Sequence, residues 1–378
     1  MAGPLSHIKV LDLSRILAGP WSTQMLGDMG AEVIKIEHPH SGDDTRSWGP
    51  PFQKNKDGSD GDATYFHSTN RNKISLFIDI STKAGQTEIY DLVKSADILV
   101  ENYKVGSLKK YGLDYQSLSI LNPEIIYCSI TGFGQSGPYA ERAGYDFMIQ
   151  AMGGLMSITG ESDENGGGPQ KVGVAIADLM TGMYATVGIL GALTHRDQTG
   201  EGQYIDLALL DCQIAMLANH TSNYLFNGKE PKRHGNSHIS IVPYQSFKTT
   251  DGDMVLAIGN DNQFEKFSIL VERNWYRDDR YKTNACRVVN RKFLVPEIES
   301  IIKEKSSSEW MTLLEKNGVP CGPVNTLADI LNDPHVKYRG IVEEIKTSDG
   351  EIIPIIANPI RYSKTPMVYS KPPPKLKR

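Results

Sequence analysis

Short apolar runs separated by helix-length segments organise the first 135 residues. IKVLDLS (8–14) and AEVIKIE (31–37) have the length and β-branched content of buried strands. Between them, AGPWSTQMLGDMG (18–30) places a proline where a first helical turn tolerates it, and Gly30 ends the segment. The three pieces predict a βαβ unit of a parallel, doubly wound sheet with a right-handed crossover. ISLFIDI (74–80) and DILVEN (97–102) extend the series across the helical TKAGQTEIYDLVKSA. IIYCSITGFG (125–134) adds another buried strand that ends in a Gly-rich turn.

The texture changes from about Asn223. GKEPKRHGNSHISIVPYQ (228–245) is basic and irregular, as a linker or crossing segment would be. SFKTTDGDMVLAIGNDNQF reads as a hairpin with Asp251-Gly252 at its turn. Helical stretches follow through LLEKNG (313–318), then a turn and helix start in VPCGPVNTLADIL (319–331). EEIKTSDGEIIPIIANPI (343–360) carries a second hairpin signal, and KPPPKLKR is too Pro-rich and basic for a core. No internal repeat or low-complexity tract is visible.

One acid breaks the longest apolar stretch. Val172–Leu193 (VGVAIADLMTGMYATVGILGAL) is 22 residues long and its single charge is Asp178. No Lys, Arg or His lies within a helical turn to pair with it. A carboxylate removed from water is paired, protonated or put to use. An N-cap or a buried structural acid is one reading; a nucleophile, with Gly173 and Gly182 allowing close approach, is the other. The run's length invites a membrane span, but the mid-run acid and the lack of a second span point to a buried helix in a large core.

The remaining composition narrows the classes. A chain of 378 residues suits two domains, and 39% apolar with 22% charged residues is that of a globular enzyme. Forty-five acids against 40 bases give a net charge of −5, so neither nucleic acid nor a membrane surface is expected as a partner. Four scattered cysteines without paired spacing fit reduced thiols, and the start resembles no signal or transit peptide. A cytoplasmic location, or the mitochondrial matrix, is expected. No metal is expected: Gly235 and Asn236 interrupt the HxxxH of His234 and His238.

Ligands of open α/β sheets gather at the carboxyl ends of the strands. Those ends carry Ser14-Arg15, Glu37-His38, Glu101-Asn102 and Thr131-Gly132-Phe133-Gly134. A dinucleotide site would need GxGxxG after the first strand, and RILAGP stands there instead. Hydride transfer is disfavoured.

VLDLSRILAGPWSTQMLGDMGAEVIKIEHP (10–39), GDDTRSWGPPF (42–52), NRNKISL (70–76), VENYKVGSLKKYGL (100–113), SITGFGQSGPYAERAGYD (129–146), VGVAIADLMTGMYA (172–185) and GVPCGPVN (318–325) occur in this order. Together they resemble the family III CoA-transferases, the group that includes formyl-CoA:oxalate CoA-transferase, from about residue 5 to 370. GDDTRSWGPPF, RAGYD and SIVPYQSFKT (240–249) are most similar to its succinate–hydroxymethylglutarate branch.

The resemblance implies that Asp178 is the catalytic aspartate. Its carboxylate would attack an acyl-CoA thioester to give a mixed anhydride, then an aspartyl-CoA thioester that an acceptor acid resolves. Coenzyme A is then a substrate, and no cofactor is bound permanently. The family's CoA contacts fall on Ala18, His38, Asn102, Tyr103, Lys110 and Tyr145. Leu17 stands where formyl-CoA transferase has a Gln that holds small acyl groups, which points to a larger acyl chain. His38 replaces an Arg near the nucleotide. Gly259 to Gln263 occupies the place of a glycine loop that closes over the aspartate, with a single Gly here; a simple hairpin exit is the alternative. A dicarboxylic substrate would need a cation for its distal carboxylate. Arg46 and Arg142, chosen from Arg15, Arg46, Arg71 and Arg142, are the candidates.

A rival activity within the family is α-methylacyl-CoA racemisation, which needs an Asp and a His on opposite faces of Cα. Tyr145 stands at the His position, and a phenol is a poor base at neutral pH. A silent CoA-binding protein would have lost the nucleophile. The resemblance further implies a large α/β domain from 1–227 completed by 329–378, a smaller α+β domain from 228–328, and an interlocked homodimer. The irregular stretch around 186–245 would supply one of its long connections. Family members usually continue past the PPP segment with LGxHT and two helices, so part of the large domain's cover is expected to be missing.

Overall fold

The structure, a computed structural model, describes residues 3–347 and 350–376. The chain divides into two compact units, the first comprising Met1–Leu155, Lys171–Lys229 and Lys337–Arg378, the second Met156–Gln170 and Glu230–Val336.

Unit 1 is built on a six-stranded sheet of β1 (Lys9–Asp12), β2 (Glu32–Glu37), β3 (Lys73–Phe77), β4 (Ile98–Glu101), β5 (Ile126–Thr131) and β6 (Tyr204–Ala208). All pairs are parallel and the order is β3-β2-β1-β4-β5-β6, the doubly wound arrangement. Alternation along the strands feeds two cores, because a parallel sheet is covered on both faces. Val10, Val33, Ile98, Val100, Ile126 and Cys128 face one layer of helices. Leu11, Leu13, Leu99 and Tyr127 face the other. The expected βαβ start is present, with α1 spanning Ala18–Asp28 and α2 (Lys83–Val93) between β3 and β4.

Three expectations need correction. The Val172–Leu193 run forms the helix Ile176–Thr199, but only one face of it is buried. Ala177, Thr181, Ala185, Ile189 and Leu193 recur at helical spacing and pack inward, whereas Tyr184 and Val187 are 40% and 63% exposed. The neighbourhood after 186 is not an irregular connection: it completes that helix, supplies β6, and continues into the helices Leu209–Met216 and Asn219–Asn227. The KPPPK segment, expected to lie outside any core, has one buried residue and is hydrogen-bonded to the rest of unit 1. Pro373 is buried, Asn72 N–H donates to Lys371 O at 2.9 Å, and the Pro374 carbonyl accepts from Arg46 Nη2 at 2.9 Å.

Unit 2 has an antiparallel sheet in which β8 (Asp253–Ala257) lies between β7 (Tyr244–Lys248) and β9 (Cys321–Pro323). Phe247, Leu256, Phe264, Phe267, Trp275 and Trp310 dominate its core. The hairpin with Asp251-Gly252 at its turn is as expected. The segment Met156–Gln170 was not expected here. It joins because Gly235 N–H donates to Gly160 O at 3.1 Å and Arg233 Nε to Glu161 O at 3.2 Å. In unit 1, β10 (Val342–Lys346) and β11 (Ile352–Ile356) form the second expected hairpin; residues 348 and 349 between them lie outside the described residues.

Candidate active site

The sheet reverses its winding between β1 and β4, and the cleft forms there. Past Asp12 the chain turns through Ile16, whose φ of +72° is a left-handed conformation unusual for a β-branched residue. Neighbours hold that strain. Asn102, just past β4, accepts from Arg15 N–H through Oδ1 at 2.8 Å and returns Nδ2 to Arg15 O at 2.7 Å. Ile16 N–H donates to both oxygens of Asp43, at 3.3 Å each. The turn thus delivers the uncapped start of α1, at Ala18, to the cleft.

Beneath the turn lie buried charges. Lys35 Nζ pairs with Asp43 at 2.9 Å and donates to Ser14 O at 2.8 Å, and Lys73 Nζ pairs with Asp12 at 3.0 Å. Burial alone would raise Asp43, but Lys35 and Thr45 hold it down at about 2. These ions fix the floor of the cleft; they do not open into it.

The cleft has a volume of about 180 Å³ and brings Ala18, Asn102, Tyr103, Arg142, Tyr145 and Asp178 together. The helix Ile176–Thr199, here α3, carries Asp178 as its third residue. Among the described residues no side chain donates a hydrogen bond to the Asp178 carboxylate. Burial first, and the charge of Asp146 second, push it up to about 7. Gly173 lies in open space, but Gly182 serves packing: a Cβ there would stand 2.7 Å from Ala18 O on α1.

Other sequence candidates fall outside this cleft. His38 is exposed past β2, its Nδ1 facing Ser41 Oγ at 3.2 Å. Lys110 is exposed over the ring of Tyr111 at 4.5 Å. Gly259 and Gln263 belong to unit 2, where the chain leaves the hairpin strand β8 and turns into a helix. Gln263 Oε1 accepts from Gly259 N–H at 2.8 Å, and Asn260 caps the helix Asp261–Leu270. His234 and His238 lie in a turn, and no group of three or more His, Cys, Asp or Glu among the described residues is arranged to hold a metal.

Arg46 must be withdrawn as a ligand for a distal carboxylate. It is 5% exposed, and its guanidinium grips Glu37 through Nε at 2.8 Å and Nη2 at 2.7 Å, reaches Asp62 at 2.6 Å and lies over Phe66. Arg71 is similarly spent on Asp28, and Arg15 pairs with Asp44 at 3.0 Å. Arg142 differs. It lines the cleft, stacks on Tyr139 at 4.0 Å, and pairs with no carboxylate among the described residues.

Sequence reasoning missed Asp146 and Tyr65. Asp146 follows Tyr145 and turns its carboxylate onto the start of α3. Tyr65, in the short helix Thr64–His67, is pushed up to about 12 by burial and by Asp178, Asp146 and Asp43. Neither stands in a run that periodicity could single out.

Comparison with known proteins gives the family of the chain. The model of CoA-transferase family III matches residues 5–378. A succinate–glutarate CoA-transferase of Agrobacterium fabrum is 49% identical, covering 99% of this chain and 93% of that protein. The human succinyl-CoA:glutarate CoA-transferase is 44% identical over 99% of this chain and 83% of its own length. A solved CAIB/BAIF family protein from Brucella suis superposes with a TM-score of 0.87 at 49% identity, covering 100% of this chain and 97% of that one. The chain belongs to CoA-transferase family III, and it is a CoA-transferase.

Proposed function

We propose that the enzyme moves CoA from succinyl-CoA to a second dicarboxylic acid of glutarate type, with Asp178 as covalent nucleophile. The relatives named as succinate–glutarate and succinyl-CoA:mesaconate CoA-transferases, at 49% and 40% identity, support the substrate class. The observation that carries the mechanism is a partly buried carboxylate to which no side chain among the described residues donates, in the cleft at the reversal point of the sheet.

An Asp178 oxygen attacks the thioester carbonyl, the C–S bond breaks, and CoA leaves as thiolate with a succinyl–aspartyl anhydride left behind. The thiolate then attacks the aspartyl carbonyl and releases succinate. The acceptor carboxylate attacks the resulting aspartyl-CoA thioester, and the same two steps run in reverse. A carboxylate partly withdrawn from water is the stronger nucleophile, and an acyl-CoA filling the cleft would shield an anhydride from hydrolysis. One thioester replaces another, so the chemistry itself is near balance.

Arg142 is the residue we assign to the distal carboxylate of the acid, because it is the cleft arginine without an acidic partner. The exposed Tyr184 and Val187 on α3 support a homodimer that covers this face.

Intact-mass analysis after incubation with succinyl-CoA tests the mechanism. A CoA adduct on Asp178 is expected, cleaved by hydroxylamine to the hydroxamate and reduced by borohydride to the alcohol with loss of CoA, together with its absence in Asp178→Asn. Isomerisation of a 2-methyl acyl-CoA without transfer between acids would replace this reading with racemisation.

A further inference from the structure

Asp146 opens the helix Asp146–Met152 and turns its carboxylate onto the first turn of α3. Oδ1 accepts from Ala177 N–H at 2.8 Å and from Asp178 N–H at 3.4 Å. Oδ2 accepts from Gln150 Nε2 at 2.7 Å, and the fully buried Gln150 in turn accepts from Val172 N–H at 2.9 Å. The local cap position is Ala175, which has no side-chain acceptor. Asp146 therefore caps α3 from another element, and it does so at the backbone N–H of the nucleophile itself. N–H donors at a helix start suit the anionic form of such a cap.

We propose that Asp146 is a positioning residue of the transfer reaction: it holds Asp178 at the start of α3 and, through its charge, sets the pH at which Asp178 becomes an attacking carboxylate. This rests on the reading of Asp178 as nucleophile.

Of the other groups around the cleft, Lys104 and Glu141 carry opposite charges, and burial and Asp146 remain what moves Asp178. Tyr65 stays neutral through the working range. Leu17, Ala18 and Leu209 bring apolar surface from α1 and from Leu209–Met216. Arg15 is paired with Asp44, and Arg142 lies against Tyr139. Tyr145, on the same wall, carries no cation. A like charge beside a partly buried acid disfavours its ionisation, in the same direction as burial does. Neutralising residue 146 therefore moves the ionisation of Asp178 to lower pH.

The test is single-turnover formation of the enzyme–CoA adduct from succinyl-CoA between pH 5 and 9, read by rapid quench and intact mass. The proteins compared are wild type, Asp146→Asn, Asp146→Ser and Asp146→Glu, each verified as folded by circular dichroism. Asn keeps an oxygen for the Ala177 N–H, and Ser, shorter and equally uncharged, is the second neutral variant if Asn fails to fold. In both, the acid limb should shift down by about 0.5–1 pH unit, raising the rate at pH 5.5 relative to pH 8 by about three- to tenfold over wild type. Glu, which keeps the charge, should retain the wild-type limb. An unmoved limb in the neutral variants, whatever their rate or melting temperature, overturns the proposal, as does a Glu variant shifted as far as Asn. A wild type that forms no adduct at any pH removes the nucleophile reading instead, so the two failures are distinct.

Discussion

Arg46 lies flat against Glu37, with Nε on one carboxylate oxygen at 2.8 Å and Nη2 on the other at 2.7 Å. Burial alone would raise Glu37, but Arg46, Lys35 and Ser75 hold it below the usual carboxylate range. The pair ties the end of β2 to the loop after it and, through Pro374 O, to the end of the chain. Truncating Arg46 to Met leaves a buried carboxylate without its main partner, which costs about 3–5 kcal/mol. Chemical denaturation should show that loss. The KM of the folded fraction for dicarboxylic acids should stay within about twofold, because Arg46 points away from the cleft. A large KM rise with unchanged stability would return Arg46 to substrate binding.

Arg142 should behave in the opposite way. A charge-assisted hydrogen bond to a carboxylate contributes about 1.5–3 kcal/mol, so Arg142→Ala should raise KM for glutarate-type acceptors by about 10- to 100-fold. KM for a monocarboxylic acid of similar length should change little. Among the described residues its guanidinium meets only the neighbouring Tyr139 ring, so melting temperature should be nearly constant. Equal KM effects on both acid classes would reject the assignment.

Lys35 tests the floor beneath the turn. Its ammonium is wholly buried between Asp43 and the Ser14 carbonyl. Asp43, held at about 2 in the fold against 3.8 unperturbed, contributes stability that is present above about pH 4 and lost as pH falls toward 2. In Lys35→Met that dependence should disappear, and stability at pH 7 should fall by about 3–5 kcal/mol. Denaturation midpoints compared at pH 3 and pH 7 would reveal it. A variant with the wild-type acid slope would show that Lys35 does not hold Asp43 down.

How much of this was legible depended on whether the signal was local. The β1–α1–β2 unit was, because periodicity and a stopping glycine sit within thirty residues. Asp178 was, because one charge in 22 apolar residues has no local excuse. β6 was hidden: YIDLA follows a long helix after only a few polar residues, and alternation over five positions is weak beside the preceding run. Arg46 misled because nothing in GDDTRSWGPPF shows that Glu37, nine residues earlier, folds back onto it. Asp146 escaped for a related reason. A cap supplied 31 residues before the N–H it accepts from leaves no mark in the sequence around the helix it caps. Lys35 lies within the expected strand 31–37 and Lys73 just before the one at 74–80, and only the fold reveals both as wholly buried ions.

On the proposed mechanism, Asp178 couples activity to stability. Its folded value of about 7 against 3.8 unperturbed means that the native state binds its proton more tightly than the unfolded chain. The sign follows: the group costs nothing below about pH 3.8, and the cost grows until pH passes about 7. Activity runs the other way, because attack needs the carboxylate, so kcat/KM should rise through an acid limb near pH 7. Asp178→Asn should abolish CoA transfer while removing the cost of a buried charge. It should melt above wild type at pH 8, by a margin on the order of a few kcal/mol, and the margin should vanish below pH 4. Paired thermal scans at the two pH values decide it. A variant no more stable than wild type at pH 8 would mean that Asp178 is well solvated in the native enzyme, and the desolvated-nucleophile argument would fail with it.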